Sequence, residues 1–571
     1  MIGVLAKAEQ AAVVEEFFEL FKTPWEFYRS GQAYDVVIAS ANEVPEIKPK
    51  LFILSSAAST NLDAGMDLAA RKGEQNATLS HLDTCFPVYG DLLIFADSSR
   101  GTPCVTTKSG AAGIMVEAPG SRIIRLGYDL FEEVRCLLSA GQPCEHANVP
   151  TLDVHVAMLR DWILEAGISF LEIPATPAGY DFSVCLTHDI DFVGIRNHKF
   201  DHSMWGFVYR ATFGAILRFF RRRISASQLL TSWRAVASLP FVYAGWAKDF
   251  WEPFDWYLKV EKNLPATYFL IPFKQCSGEK VPGPRGSLRA TAYDVSDLSQ
   301  WTTILLNRGY ELGVHGIDAW HSIEKGREEL RRISEVTGES QTGTRIHWLL
   351  RDENTPSVLE QAGYTYDSTF GYNETIGYRS GTSQVFRPLS ARTLLELPMH
   401  IQDGALFYPQ KLNLSEAEAE RRCDALIGNV RRLGGVLTLL WHDRSHAPER
   451  FWGDFYAKLI VKLRLLRPWF GSGAQVVGWF EKRRKVRFES IGATDGTTEI
   501  RLRYVGEKIS PPLNIRVHRP RQVEQESASS SLTLPEFIDT CWDGRNDLRI
   551  SKLRLGDFVA SEIRSSVGVA N

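Results

Sequence analysis

Four short segments hold the residues whose types and spacing suit chemistry. The first is Val184-Cys-Leu-Thr-His-Asp189-Ile-Asp191, an apolar run ending in two carboxylates with one residue between them. On a strand, residues i and i+2 face the same way, about 6.6 Å apart along the axis. Like charges that close repel unless a cation or a proton lies between them. One carboxylate on a metal and the other on a metal-bound water satisfies both, whereas a pair of helix-capping aspartates is the plainer alternative. The second segment is Glu311-Leu-Gly-Val-His315-Gly-Ile-Asp318-Ala-Trp-His321. Histidines with carboxylates nearby are typical zinc ligands. The separation of His315 and His321 fits no regular element: about 240° round a helix, or about 20 Å along a strand. Both reach one ion only through a loop, which Gly316 permits. Asp318, beside His315 on a helical turn, competes for the same place. The third is Gly343-Thr-Arg345-Ile-His347-Trp348. An arginine at a strand end can hold a carboxylate through two hydrogen bonds, and Trp348 either stacks on a sugar face or fills core. The fourth is Leu437-Thr-Leu-Leu-Trp-His442-Asp443-Arg-Ser-His446. A histidine at such a strand end either protonates a leaving amine or is structural.

These residues need a frame. From about residue 176 onward, buried-strand patterns recur at Phe182–Thr187, Ala266–Ile271, Tyr310–Val314 and Val436–Trp441, with helical patterns at Ser296–Arg308, Gly326–Thr337 and Glu416–Arg432 between them. Strand then helix, repeated, implies parallel strands with crossover helices, hence a barrel or an open α/β sheet. In such folds the carboxyl ends of the strands carry the chemistry, and the residues above sit there. Residues 1–150 alternate helical patterns (Ala8–Phe21, Leu130–Leu138) with short apolar runs, which predicts an α/β domain without a catalytic constellation. After Val476–Lys485 the pattern alternates, at Glu499–Tyr504 and Leu513–His518, so residues 490–571 read as a small β-rich domain with a Ser-rich linker at 527–531.

A chain of 571 residues is too long for one core. Its net charge of -3 gives no general reason to expect nucleic acid. The eight cysteines form no CxxC pair and read as buried thiols in a reducing compartment. Acidic residues break up the start of the chain where a signal peptide needs an apolar run, and no stretch is long enough to span a membrane, so a cytoplasmic protein is expected.

The order of the four segments resembles the polysaccharide deacetylase family, whose catalytic unit is the NodB-homology domain. The resemblance covers about 180–485 and implies a distorted (β/α) barrel over 176–485. Thr187-His-Asp189-Ile-Asp191 looks like the first motif, making Asp189 the catalytic base and Asp191 a metal ligand. His315 matches the first histidine of the second motif, with His321 the first choice as third ligand and Asp318 or His347 its rivals. Arg345 matches the arginine that orients the base. Tyr366-Asp367-Ser-Thr-Phe370 is similar to the fourth motif and Leu439-Leu-Trp-His442 to the last. Two departures stand out. The family's histidine pair is four apart, and its R-x-P is here Arg345-Ile-His347. The resemblance implies a divalent ion, zinc in type, and removal of an N-acyl group from an amino sugar, with His442 protonating the amine and Asp367 or Asp443 orienting it. Trp348 and Tyr372 are the expected substrate contacts. Another amide hydrolase on this scaffold, or a glycan-binding protein without catalysis, is the alternative.

Between Asp201 and Asp249 there is no acidic residue, while Arg210, Arg218, Arg221, Arg222, Arg223 and Arg234 alternate with Trp205, Phe207, Phe213, Phe219, Phe220 and Trp233. This insertion over 201–249 either packs its aromatics on the barrel or presents a patch for phosphate or an anionic membrane surface. The second reading predicts peripheral membrane contact through 204–223 and a nucleotide- or lipid-linked sugar as substrate.

Overall fold

The computed structural model describes residues 1–40, 45, 47–96, 101–281, 288–494, 497–520, 537–550 and the strand 563–565. The Ser-rich stretch 527–531 lies outside them.

At the centre is a parallel sheet that contains every catalytic candidate. Its strands, in chain order, are β1 (Ser183–Ile190), β2 (Thr267–Leu270), β3 (Glu311–Gly316), β4 (Thr344–Ile346), β5 (Tyr366–Asp367), β6 (Leu395–Glu396), β7 (Ile401–Gln402), β8 (Val436–Leu440) and β9 (Trp469–Phe470). They lie side by side as β6-β5-β4-β3-β2-β1-β8-β7, with β9 beside the start of β1, and every pairing is parallel. β1 is central, and all its residues are buried, which is why it reads as a continuous apolar run rather than an alternating one. The two outermost strands, β6 and β7, are joined directly by residues 397–400. A link that short spans at most about 20 Å, so the sheet curls round into a half-barrel whose edge strands β6 and β7 do not pair with each other.

The crossover helices seal its outer face. The helix Glu416–Leu433 shows how sequence fixes one of them. Ser415 caps its amino end in a reciprocal box with Glu418, and Ala419, Cys423, Leu426, Ile427 and Val430 form the buried stripe. Gly434, at φ 85, ends it in a conformation costly for other residues. Each of the larger aliphatic side chains in that stripe contributes about 1.5–3 kcal/mol by burial.

The insertion forms a helical hairpin from α1 (His202–Tyr209), the turn Arg210–Gly214, α2 (Ala215–Phe220) and α3 (Ala226–Tyr243). It has a small core of its own around Phe207, Leu239, Val242 and Trp251. Before the barrel, residues 2–126 build a mixed sheet: a parallel part through Ile2–Leu5, Val36–Ala39, Leu51–Ser55 and Ser121–Leu126, then antiparallel strands including Gly110–Ala118 and Thr102–Thr107. The alternation of helix and strand predicts the parallel part; the antiparallel hairpins lack its signature. At the other end of the chain, Leu513–His518 pairs with both Phe537–Trp542 and the early strand Phe170–Glu172. His518 and Arg160 both bind the Glu172 carboxylate, at 2.7 Å each. Of the cysteines, only Cys185 and Cys423 are buried, so the expectation of eight buried thiols is corrected; all are unpaired.

Candidate metal centre

Asp189 and Asp191 stand at the carboxyl end of β1, His315 at the end of β3 and Arg345 within β4. The register aligns His315 with Arg345. The His315 Nδ1–H donates to the Arg345 backbone carbonyl at 2.8 Å, which leaves Nε2 as the ring nitrogen turned to the cavity. That nitrogen lies 3.3 Å from Asp191 Oδ1 and 3.7 Å from Asp189 Oδ2. It also lies 2.9 Å from His347 Nδ1, which is itself 3.4 Å from Asp191 Oδ1.

Three electron-pair donors thus converge: Asp191 Oδ1, His315 Nε2 and His347 Nδ1, all buried and mutually within 4.8 Å. Asp191 Oδ1 is buried with no hydrogen-bond partner among the described residues. Burial raises the Asp191 pKa, but the rings of His347, His315 and His442 outweigh it and hold the carboxyl far below the usual carboxylate range. Burial pushes His347 down to about 3 despite Asp191, so that ring is neutral. Without an ion the two ring nitrogens share a hydrogen bond while Asp191 Oδ1 stays unpaired, and two nitrogens with one oxygen suit a zinc-type ion that keeps an open position. The backbone bond from His315 Nδ1 is the supporting contact that metal-bound histidines normally have. These residues fit a divalent ion.

His321, the expected third ligand, is elsewhere. The chain turns sharply after β3 because the Glu329 carboxylate accepts from the amides of Ile317 (2.9 Å) and Asp318 (2.7 Å). That turn directs His321 to Asp318 Oδ1, at 3.1 Å, in a separate group with the exposed Glu279. Asp318 is also the acceptor for the Glu279 amide. His347 takes the place instead, because a turn with left-handed backbone at Trp348 (φ 65) and Leu349 (φ 53) follows β4 immediately.

Asp189 is outside the triad. Its Oδ1 accepts from Arg345 Nη1 at 3.0 Å. Arg345 is fully buried and immobilised by Thr187 Oγ1 (2.7 Å), the Ser368 carbonyl (2.9 Å) and Ser368 Oγ (2.8 Å). Its guanidinium lies over the Phe269 ring. On the opposite side of the cavity, His442 follows β8, its Nε2 3.9 Å from Asp191 Oδ2.

The residue that orients His442 escaped the sequence reading. It is Asp403, just after β7: Oδ1 accepts from His442 Nδ1 at 2.6 Å, and Oδ2 from the His442 amide and Ser445 Oγ. Burial alone lowers a histidine pKa, yet Asp403, with Asp191 and Asp189, pushes His442 up to about 10. The ring is therefore a charged donor at neutral pH. Its signal was faint, because β7 has only two residues and shows no periodicity. The two expected orienting groups do other work. Asp367 accepts from the amide and hydroxyl of Thr369, whose oxygen receives the Ile346 amide, so it braces β4 from behind. Burial raises the pKa of both Asp367 and Glu396, and the nearby charge of Asp367 adds to the rise at Glu396. Asp443 accepts from the Phe192 amide at 2.6 Å.

A cavity of about 210 Å³ opens onto these groups, its walls including Trp348, Asn373, Gln402, Tyr408 and Lys411. Trp348 is thus where a sugar contact is expected. Tyr372 is not: its hydroxyl donates to the Gln142 carbonyl at 2.7 Å, which turns the ring into the neighbouring amino-terminal layer.

No family model and no curated protein matches this chain. Among solved structures, it is similar to a putative polysaccharide deacetylase from Mycobacterium smegmatis, at 18% identity over 54% of this chain and 95% of that one, with a TM-score of 0.33. It is also similar to the carbohydrate deacetylase Agd3, at 9% identity over 97% and 98% of the two chains, with a TM-score of 0.38. A family 4 acetyl xylan esterase from Clostridium thermocellum, in complex with cobalt, matches at 13% identity over 52% and 90%, with a TM-score of 0.23.

Proposed function

We propose that this chain is a metal-dependent hydrolase that removes an N-acyl group from an amino sugar. The observation that supports it most is the convergence of Asp191, His315 and His347 on one point, with Asp189 and His442 on either side. Those three side chains hold the ion, with zinc the expected species. A divalent ion bound there lowers the pKa of water and polarises the amide carbonyl.

The chain supplies the rest. Asp189, fixed by Arg345 and not used as a ligand, accepts a proton from the water that adds to the acyl carbon. His442 gives its Nε2 proton to the amine nitrogen as the carbon–nitrogen bond breaks, leaving a carboxylic acid and a free amino sugar. Asp403 holds the His442 ring by Nδ1, so that Nε2 faces the cavity. Each acid–base group is worth about 10²–10⁴ in rate. Trp348 offers a ring face to the sugar. The test is metal content together with acetate release from N-acetylated sugars. Stoichiometric zinc that disappears in Asp191→Asn, with activity lost in parallel, is expected; wild-type protein that binds no divalent ion sinks the reading.

The hairpin supports a second element, peripheral contact with an anionic membrane surface. Phe213 and Phe220 are 72% and 77% exposed, on the helical segment that runs into exposed Arg221, Arg222 and Arg223. Large aromatic rings left in water next to cations suit a headgroup layer, where each basic residue contributes about 1 kcal/mol. Co-sedimentation with phosphatidylglycerol vesicles, lost in Phe213→Ser/Phe220→Ser, is expected. Equal binding to neutral vesicles contradicts it.

A further inference from the structure

A second and larger cavity, of about 920 Å³, lies between the hairpin and the barrel. It shares Phe192, Leu288, Tyr408 and Arg450 with the wall of the metal cavity, so the two are neighbours along one surface. Its charge is one-sided. Arg210 and Arg218 enter from the hairpin and Arg444 and Arg450 from the segment after β8, against two carboxylates in the lining, buried Glu449 and exposed Glu416. Arg218 donates to the Glu449 backbone carbonyl at 2.7 Å rather than to its carboxylate. Arg444 is 3.8 Å from Glu449 Oε1, beyond a hydrogen bond.

Two of these guanidiniums keep an unused donor. Arg444 is 4% exposed and held over the rings of Phe192 and Trp251, yet its Nε has no hydrogen-bond partner among the described residues. Arg210 Nε is buried in the same condition. Arg450 lies against Tyr408 and Trp452 and donates to the Tyr408 hydroxyl at 2.6 Å. Burial, followed by Arg450, lowers the pKa of Arg444 to about 10. The guanidiniums of this lining outnumber its two carboxylates, and those partly stripped of water carry a desolvation cost that an entering anion offsets. The planar fork of arginine matches phosphate oxygens in pairs.

We infer that this cavity is a subsite for a phosphate or diphosphate group carried by the sugar substrate, placed so that the N-acyl end reaches the metal cavity. The inference rests on the hydrolase reading only for which end of the substrate is cut; the anion site stands on its own residues. Phosphate ester and diphosphate linkages occur in sugar phosphates, nucleoside-diphosphate sugars and prenyl-linked sugars, which share the chemistry recognised here.

The test has two arms. In the first, inorganic pyrophosphate is titrated by calorimetry into the full chain in excess EDTA, which removes any contribution from bound metal. Saturable binding with one site per chain is expected, weakened about tenfold or more in Arg210→Gln/Arg218→Gln and in Arg450→Lys. The lysine variant keeps the charge and loses the fork, and circular dichroism checks that each variant is folded. Absent binding, or affinity unchanged in both variants, overturns the proposal. In the second arm, zinc-loaded protein is given free N-acetylglucosamine, its 1-phosphate, its nucleoside-diphosphate ester and its prenyl-diphosphate ester. At least one phosphorylated form should exceed the free sugar in kcat/KM by about tenfold, the margin shrinking in Arg210→Gln/Arg218→Gln. Which ester gains identifies the source. Equal kcat/KM for all four overturns the substrate assignment. Pyrophosphate binding without any sugar turnover leaves the subsite intact and defeats the hydrolase reading.

Discussion

Two groups of three metal-type ligands lie near the carboxyl end of β3, and they differ in what their lone pairs face. Glu279, Asp318 and His321 are mutually close, but Asp318 already receives the Glu279 amide and the His321 ring, and Glu279 is exposed to water. Asp191, His315 and His347 are all buried; the outward nitrogen of His315 is tied to a carbonyl, and Asp191 keeps an oxygen with no hydrogen bond among the described residues. Both groups combine carboxylate and histidine at similar mutual distances. What separates them is burial and the one carboxylate oxygen that no hydrogen bond reaches, since a buried lone pair left unpaired costs free energy that a cation recovers.

The sharpest way to break this comparison is to remove one histidine from each group. His347→Ala should abolish stoichiometric zinc and lower activity by more than about 10²-fold, since even supporting contacts are worth 10–100-fold. His321→Ala should leave zinc content unchanged. The reverse outcome, read by metal analysis, inverts the assignment. Next in size is Asp403→Asn, which removes the acceptor that fixes the His442 ring. It should lower kcat about 10²-fold or more with KM little changed, and a variant as fast as wild type would remove Asp403 from the site.

A smaller effect concerns the turn that keeps the two groups apart. Burial raises the Glu329 carboxyl from 4.5 to about 7. Between those values the folded chain holds a proton that the unfolded chain has lost, so this contribution to stability is complete below about pH 4.5 and gone by about pH 7. Wild-type protein should lose roughly 1–3 kcal/mol across that window through this group, and Glu329→Gln should flatten the slope in urea midpoints measured at pH 5 and pH 7.5. An unchanged slope refutes it. Smallest is Trp348→Ala, for which KM should rise by about tenfold or less with zinc content constant; an unchanged KM means the ring does not touch the sugar.

Much of the barrel was legible because its strands are long apolar runs. The strand Val436–Leu440 lies within its pattern Val436–Trp441, and the helix Glu416–Leu433 differs by one residue from its pattern; outside the barrel, Leu513–His518 coincides with its own. Asp189, Asp191, His315 and His442 each follow such a run, so parallel strands bring them to one end, whereas Arg345 lies in the three-residue strand Thr344–Ile346, which has no such run. The short strands Leu395–Glu396 and Ile401–Gln402 carry no period, and Asp403 was hidden with them. The antiparallel hairpins before residue 127 were missed because no βα alternation marks them.

By itself, then, the sequence determined which strands are buried and which ionisable groups end them, because burial and period are local properties of the chain. Tertiary structure decided which histidine stands beside Asp191 and His315 and which carboxylate holds His442. His347 and His321 are both histidines just beyond a strand, and only the left-handed turn at Trp348 and the grip of Glu329 on Ile317 and Asp318 send one into the cavity and the other away. Such choices depend on contacts between residues distant in sequence, whose energies are comparable to the small differences between alternative loop paths.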